Sequence, residues 1–349
     1  MIVREQVPLA PLTTLGVGGP ARYFVEAGSD LEVSEAVLLA KSSGLPLFVL
    51  GGGSNVLVAD HGFDGLVLKI GMTGVQQGDP WEGKVIFEVA AGEDWDAFVE
   101  RTVAANCAGL ECLSGIPGTV GGTPVQNVGA YGQEVSETIP WVRAVESATG
   151  RTHTFSNEQC QFGYRSSRFN SADRGKFVVV EVRYELQLGG RPTLRYPELQ
   201  KHFSGRSNEP SLAEVRQAVL QIRCSKSMVL VAGDENSRSA GSFFKNPVVT
   251  QQEFEQLTAR MQSRGAAMPS YPVGEALRKL SAAWLIEHAG FSKGYARGAV
   301  GISTRHALAI VNRGGATAAE IVALAQEIRS RVSAKFGIEL VLEPVMVGF

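Results

Sequence analysis

Apolar positions along the chain fall into alternating strand-like and helix-like stretches. Asp30 offers a cap for a helix that runs through Val33, Val37 and Leu38 and stops at Gly44. Leu47 to Leu50 is a short apolar run that reads as a buried strand. After three glycines, Asn55 to Val58 reads as another, and Val85 to Val89 alternates enough to predict a third. The period then changes. Trp95, Phe98, Val99, Thr102 and Val103 stand at i, i+3, i+4, i+7 and i+8, one face of a helix. Valine-rich Phe177 to Leu186, interleaved with charges, predicts a further strand. The second half reads as more helical. Ser211 with Glu214, Thr250 with Glu253 and Thr317 with Glu320 have capping-box spacing. The last pair opens a long helix with Ile321, Leu324, Ile328 and Val332 on one face and Gly337 as its stop. A final strand is expected over Leu340 to Val347.

Between about Gly189 and Pro210 the chain turns polar and contains Gly and Pro, which predicts a boundary between two large units. A length of 349 residues suits two or three domains of roughly 100–200 residues each. Hydrophobic residues make up 44% and charged residues 19%, an ordinary globular balance. The formal net charge of -2 gives no broad basic field for nucleic acid. Met1 to Gln6 lacks the basic-then-apolar pattern of a secretory signal, and no apolar run approaches the ~20 residues of a membrane span. A cytoplasmic protein without a membrane partner is therefore expected. Cys107, Cys112, Cys160 and Cys224 form no Cys-x-x-Cys pair, and the five histidines form no His-x-x-x-His pair. Reduced, mostly buried thiols and no metal site are the expectation.

Two glycine clusters change the picture. In Gly51-Gly52-Gly53-Ser54-Asn55 both flanks look like strands, so a dinucleotide fingerprint is excluded, and no Gly-Lys-Ser/Thr follows to make a phosphate loop. The residues alone leave two readings: a tight hairpin turn, which composition favours, or a nest of backbone N–H groups aimed at an anion. The second cluster, Gly109 to Gly132, holds seven glycines, two prolines and one charged residue, Glu111. Ordinary connections run about 4–6 residues. So much glycine costs backbone entropy, which makes sense if the backbone must lie against a flat, phosphate-bearing ligand. A floppy surface loop fits poorly, because Leu110, Leu113, Ile116, Val120 and Val125 are too apolar to be solvated together.

Gly51 to Leu57 and Ile116 to Gly132 resemble the flavin-binding signatures of the UDP-N-acetylenolpyruvoylglucosamine reductase (MurB) family, in its longer, type I form. The resemblance continues along the chain. Thr14-Leu15-Gly16-Val17-Gly18-Gly19 is similar to the opening motif, and Gly163 to Phe169 to the Tyr-Arg motif. Gly241-Ser242-Phe243-Phe244-Lys245-Asn246-Pro247 resembles the catalytic serine motif, and Leu342-Glu343-Pro344 the C-terminal glutamate motif. Five matches in the family's order are highly specific. The chain departs from the pattern at Ser166, where an acidic residue is common, and over Ser227 to Arg238, which is longer than the usual link.

The resemblance implies an α+β fold: a two-lobed FAD-binding domain of the vanillyl-alcohol-oxidase/PCMH type over 1–188, its lobes split near 72–80. A linker and substrate loop would follow over 189–210. A smaller α+β substrate-binding domain would span 211–349, its C-terminal strand returning to the active site. It implies a monomer that reduces UDP-N-acetylglucosamine enolpyruvate with NADPH through FAD, in peptidoglycan precursor synthesis for the cell wall. The residues it assigns to FAD are Gly51, Gly52, Gly53, Ser54, Asn55, Val56, Leu57, Ile116, Pro117, Gly118, Thr119, Val120, Gly121, Gln126, Asn127, Gly129, Ala130, Tyr131, Gly132 and Arg223. Its substrate candidates are Tyr164, Tyr196, Lys226, Asn246, Tyr271 and Lys293.

Hydride addition to the enolpyruvyl β-carbon builds negative charge at the α-carbon and carboxylate. The reaction then needs a partner for the carboxylate, a proton donor and a dry site. Arg165 suits the first need, since a guanidinium offers a planar fork of donors; a lone arginine would otherwise be a surface ion pair. Ser242 is cast as the proton donor, though its hydroxyl needs tuning or a relay, and beside Gly241 it would otherwise be a turn serine. Glu343 helps if it is protonated or if it orients the arginine or a water; its plainer reading is a charge at an element's end. Three other readings remain at this point: a different flavin oxidase, an inactive flavin scaffold, and a sugar-nucleotide binder without flavin. Only the last leaves Gly109 to Gly132 without a purpose.

Overall fold

The computed structural model describes residues 1–262, 268–274 and 276–349. The chain packs as two compact units. The first comprises Met1–Pro8, Pro20–Gly53 and Phe63–Val229; the second comprises Leu9–Gly19, Ser54–Gly62 and Leu230–Phe349. Packing thus changes over after Val229 rather than within 189–210. The cause is apolar burial: Leu199 and the face Val215, Ala218, Val219 and Ile222 of helix Leu212–Ser225 close over Cys112.

Among the described residues the first unit contains two large sheets and the two-stranded pair Gly129–Ala130 and Gln133–Glu134. One has the order Arg4–Pro8, Pro20–Ala27, Phe63–Ile70, Leu47–Leu50; its first pairing is antiparallel and the other two are parallel. Helix Asp30–Ser42 buries Val33, Ala36, Val37 and Ala40. Its cap is Ser29, whose hydroxyl accepts from the Glu32 N–H at 3.3 Å, so Asp30 is the first helical residue and not the cap. Leu38 faces solvent.

The other sheet is antiparallel, ordered Thr152–Ser156, Trp141–Glu146, Phe177–Leu188, Lys84–Ala90, Val75–Gln77, with Cys107–Ala108 also pairing to the long central strand. Helix Trp95–Ala104 buries Trp95, Phe98, Val99 and Thr102, the stripe its 3.6-residue period requires. Trp95, Phe98 and Tyr184 pack ring on ring, with centroids 5.0–6.0 Å apart. The buried polar ends are satisfied: Trp95 donates to the Leu113 carbonyl at 3.0 Å, and the Tyr184 hydroxyl meets Thr123 at 2.7 Å.

The core of the second unit is built on helix Ala318–Phe336, which buries Ile321, Leu324, Ile328 and Val332 and ends at Gly337 with φ +71°. Thr317 and Glu320 form the expected capping box, and the Asp60 carboxylate accepts from the Ala318 and Ala319 N–H groups (2.7 and 3.0 Å). The terminal strand is shorter than expected, Val345–Val347, and pairs in parallel with Val56–Val58. Leu47–Leu50 and Val56–Val58 therefore belong to different sheets, and the hairpin reading of Gly51 to Asn55 falls.

Candidate active site

The flavin-signature residues divide between the units: Gly51–Gly53 and the whole of 116–132 lie in the first, Ser54 to Leu57 in the second. Within the first unit the two glycine segments touch backbone to backbone. A Cβ on Gly52 would sit 2.6 Å from the Gly118 Cα, and one on Gly51 would sit 2.8 Å from the Thr119 hydroxyl. Gly53 adopts φ +66°. Only glycine allows this approach.

Gly109 to Gly132 is pinned rather than floppy. The Val120 N–H donates to the Glu93 carbonyl at 2.9 Å and the Gly121 N–H to the Ala91 carbonyl at 2.8 Å, while the Gly118 carbonyl accepts from Trp95 at 3.1 Å. Glu111, which sequence reasoning passed over, is fully buried. Its carboxylate accepts from the Gly109 N–H, the Thr193 N–H and the Gln133 amide, each at 2.8 Å. Three donors make a buried carboxylate tolerable, and they turn it into the post that holds both ends of the segment.

Positive-φ residues other than glycine occur in the motifs and beside the Arg223 cluster. Asn127, Tyr131, Arg165 and Ser227 all have positive φ, between +44° and +51°. Tyr131 and Gly132 are the central pair of the tight turn joining Gly129–Ala130 to Gln133–Glu134, where both φ values must be positive. A tyrosine there is held by its surroundings at a cost of order 1–3 kcal/mol. The Asn127 side chain is spent internally: it donates to Glu134 (2.7 Å) and to the Gly163 carbonyl (3.1 Å), and accepts from the Ser136 N–H (3.2 Å). It ties the second glycine cluster to the Tyr-Arg turn. That turn is closed by two backbone bonds between Gly163 and Ser166, of 2.9 and 3.1 Å. Arg165 occupies the turn position that normally takes Gly or Asn, and its Nη2 donates to the Gly129 carbonyl at 2.8 Å. Tyr164 beside it is exposed, its ring 5.7 Å from the Arg165 guanidinium carbon.

A second cluster in the same unit gathers Tyr131, Tyr196, Lys226 and Arg223. The two tyrosine rings meet edge to face at 5.3 Å, and the Lys226 ammonium lies 6.0 Å from the Tyr131 ring centre. Lys226 also donates to Glu198 at 2.6 Å, a partner with no signal in the sequence. Arg223 is buried, and its Nη2 donates to the Met228 carbonyl at 2.7 Å. Its Nε has no hydrogen-bond partner and faces Gly115, where a Cβ would lie 3.4 Å away. Burial pushes the Arg223 pKa down, against the pull of Tyr131 and Asp96, and burial pushes the Tyr131 hydroxyl up to about 12.

In the second unit the serine and glutamate motifs are laid side by side. The Phe243 N–H donates to Leu308, the Lys245 N–H to Val341, and the Glu343 N–H to the Phe243 carbonyl, at 2.8, 2.9 and 3.0 Å. Asn55 donates to the Glu343 carbonyl at 3.3 Å and accepts from the Val345 N–H at 2.9 Å. Ser242 follows Gly241 (φ +69°), and its hydroxyl lies 3.4 Å from His306 Nε2. His306 escaped the sequence reading because it is 64 residues from Ser242 and carries no motif. The opening motif belongs to this frame: the Thr14 hydroxyl donates to the Ser239 carbonyl at 2.6 Å, and a Cβ on Gly18 would lie 2.5 Å from the Val58 Cβ. Three substrate candidates are placed differently. The Asn246 side chain accepts from the Ala282 N–H (2.9 Å) at the start of helix Ala282–His288, while Tyr271 and Lys293 are exposed on a strand and a loop.

The first unit suits FAD on its own geometry. Two backbones approach so closely that only glycine fits, and a buried arginine holds an unpartnered donor next to Gly115 in the second glycine segment. Residues 21–156 match the FAD binding domain family, so the fold and these contacts define a flavoprotein. Residues 234–347 match the C-terminal domain of UDP-N-acetylenolpyruvoylglucosamine reductase. Proteins of that name from Thermobifida fusca and Streptomyces coelicolor are each 48% identical to this chain over 350 residues. Both alignments cover 99% of it, and 98% and 90% of the relatives. The crystal structure of the Thermus caldophilus protein, 27% identical, superposes with a TM-score of 0.66 over 99% of this chain and 100% of that one. The chain belongs to the UDP-N-acetylenolpyruvoylglucosamine reductase family, a family of FAD-dependent oxidoreductases.

Proposed function

We propose that this protein reduces UDP-N-acetylglucosamine enolpyruvate to UDP-N-acetylmuramate, as a monomer in the cytoplasm, with NADPH as the donor. No helix among the described residues is long and apolar enough to cross a membrane. The flavin role falls chiefly to the first unit and the substrate role to the second, with Tyr196 and Lys226 contributed from the first; the matches over 21–156 and 234–347 support that division of labour. The glycine segments of the first unit would hold FAD, which would supply the hydride chemistry for the enolpyruvyl group.

The chain's own residues do the rest. Arg165 holds the substrate carboxylate as charge builds on it, through a rigid fork already oriented by the Gly129 carbonyl. Ser242 gives its hydroxyl proton to the α-carbon, with His306 as the group beside it in a relay. Glu343, one residue past the bridge between Leu342 and Phe244, orients a water. Tyr196 and Lys226 bind the UDP portion from the aromatic cluster, Lys226 as a point charge for phosphate. Tyr164, Asn246, Tyr271 and Lys293 complete the substrate contacts by resemblance.

The observation that carries this reading is the Ser242–His306 pair on the same hydrogen-bonded frame as Glu343. The test is anaerobic flavin absorbance. NADPH should bleach the purified holoprotein, and UDP-N-acetylglucosamine enolpyruvate should restore the oxidised spectrum. Bleaching without recovery would transfer the protein to another acceptor, and a colourless protein that takes up no FAD would end the reading.

Arg165→Lys gives a sharper check. One ammonium cannot satisfy the Gly129 carbonyl and also offer a two-donor edge to a carboxylate. Recovery should slow by about 10- to 100-fold, while bleaching by NADPH stays near the parent rate. Parent-like recovery would remove Arg165 from the site.

A further inference from the structure

We propose that Asn236 is a positioning residue for proton delivery: its side-chain oxygen sets the turn that holds His306 against Ser242. The proposal rests on the reading of Ser242 as proton donor. Asn236 lies in the short helical turn Glu235–Ser237, ahead of the Gly241–Pro247 serine motif.

The geometry is a chain of committed hydrogen bonds. Asn236 Oδ1 accepts from the Ser303 hydroxyl at 3.0 Å, the Thr304 N–H at 2.8 Å and the Thr304 hydroxyl at 3.1 Å. Its orientation is defined from behind, because the Asn236 N–H and side-chain amide both donate to Asp234 Oδ1, at 2.9 and 3.2 Å. The oxygen must therefore face the 303–306 turn. Ser303 is 1% exposed, and its hydroxyl carries one proton and two lone pairs. With the proton on Asn236, the lone pairs accept from the Arg305 and His306 N–H groups at 3.1 and 3.3 Å. The Ser303 N–H donates to the Ala309 carbonyl at 2.9 Å and closes the turn. One amide oxygen thus sets one buried hydroxyl, which sets the backbone of His306. The ring it carries stands 3.4 Å from the Ser242 hydroxyl, already a long hydrogen bond, so a small shift of the turn breaks it.

The experiment is a double-mutant cycle on the holoenzyme, reading both half-reactions by flavin absorbance, with Asn236→Ala, His306→Ala and the double variant. Asn236→Ala should slow recovery by enolpyruvate substrate about 10- to 100-fold at saturation, the scale of an ångström's misplacement. KM and bleaching by NADPH should stay within about twofold of the parent. In the His306→Ala background the same substitution should add nothing. Asn236→Asp keeps an oxygen for the three donors but replaces the amide that donates to Asp234 with a second carboxylate, so it should restore only part of the rate. Additive losses, or equal losses in both half-reactions, would overturn the proposal. Should Asn236→Ala fail to retain flavin, Asn236→Gln, which moves the same oxygen by one methylene, takes its place with the same coupling expected. The His306 ring resonances by NMR should shift in Asn236→Ala, and by less in Asn236→Asp. That readout holds even if Ser242→Ala leaves recovery untouched, so failure of the proton-donor reading and failure of the Asn236–His306 link are told apart.

Discussion

In Ser242→Ala, NADPH should bleach the flavin at nearly the parent rate, and recovery with UDP-N-acetylglucosamine enolpyruvate should slow by about 10²–10⁴-fold, the span general acid catalysis covers. The asymmetry follows from what the hydroxyl does. Flavin reduction needs no proton at the substrate's α-carbon, whereas completing the enolpyruvyl reduction does. The fold should be indifferent to the change. Ser242 is only half-buried, and the segment through it is held by backbone bonds, Phe243 to Leu308 and Lys245 to Val341, that alanine preserves. KM should change little, since the lost interaction belongs to the transition state. Stopped-flow traces of the two half-reactions decide it. Equal slowing of both would mean that Ser242 supports the flavin or the fold, and unchanged recovery would pass proton delivery to another group.

How far the sequence could be read depended on whether a feature is local. Helix Trp95–Ala104, strand Phe177–Leu188 and the capping boxes at Ser211 and Thr317 rest on periodicity and on contacts three or four residues apart, and they stand where the pattern puts them. The cap of the first helix was misread by one residue because Ser29 and Asp30 are both good caps and only the backbone decides between them. The unit changeover was misplaced because a polar, Gly-containing stretch looks like a linker. Nothing local shows that Leu199 and helix Leu212–Ser225 find their apolar partner at Cys112, about a hundred residues earlier. The glycine turn at 51–55 was ambiguous for the same reason: whether its flanking strands pair with each other depends on Val345–Val347, at the far end of the chain. The motif residues were legible as a set, but their supports were not. Glu111, Glu198, Asn236 and His306 are single polar residues whose partners lie 2 to 82 positions away, and no spacing rule reaches them.

Gly52→Ala should weaken the protein's hold on its flavin about tenfold. An alanine Cβ would stand 2.6 Å from the Gly118 Cα and 3.0 Å from its carbonyl carbon, both backbone atoms, so no side chain can swing aside. The 118 segment is tied by Gly118 to Trp95, Val120 to Glu93 and Gly121 to Ala91. Relief must come from the untied partner of the contact, the Gly51–Gly53 turn itself. Overpacking of this kind costs ~1–3 kcal/mol, and ~1.4 kcal/mol of it expressed as lost affinity weakens FAD about tenfold. The control lies in the same cluster. A Cβ on Gly122 meets nothing within 4 Å, and its φ is not positive, so Gly122→Ala should bind FAD as the parent does. Flavin content after purification, with FAD titrated back into the apoprotein, measures both. Parent-like affinity in Gly52→Ala would show that the turn relaxes without disturbing the cofactor, and the close approach of the two glycine segments would then be a packing feature. A tenfold loss in Gly52→Ala with none in Gly122→Ala would tie flavin binding to the contact where backbone meets backbone, which is the physical reason for so much glycine at two places 66 residues apart.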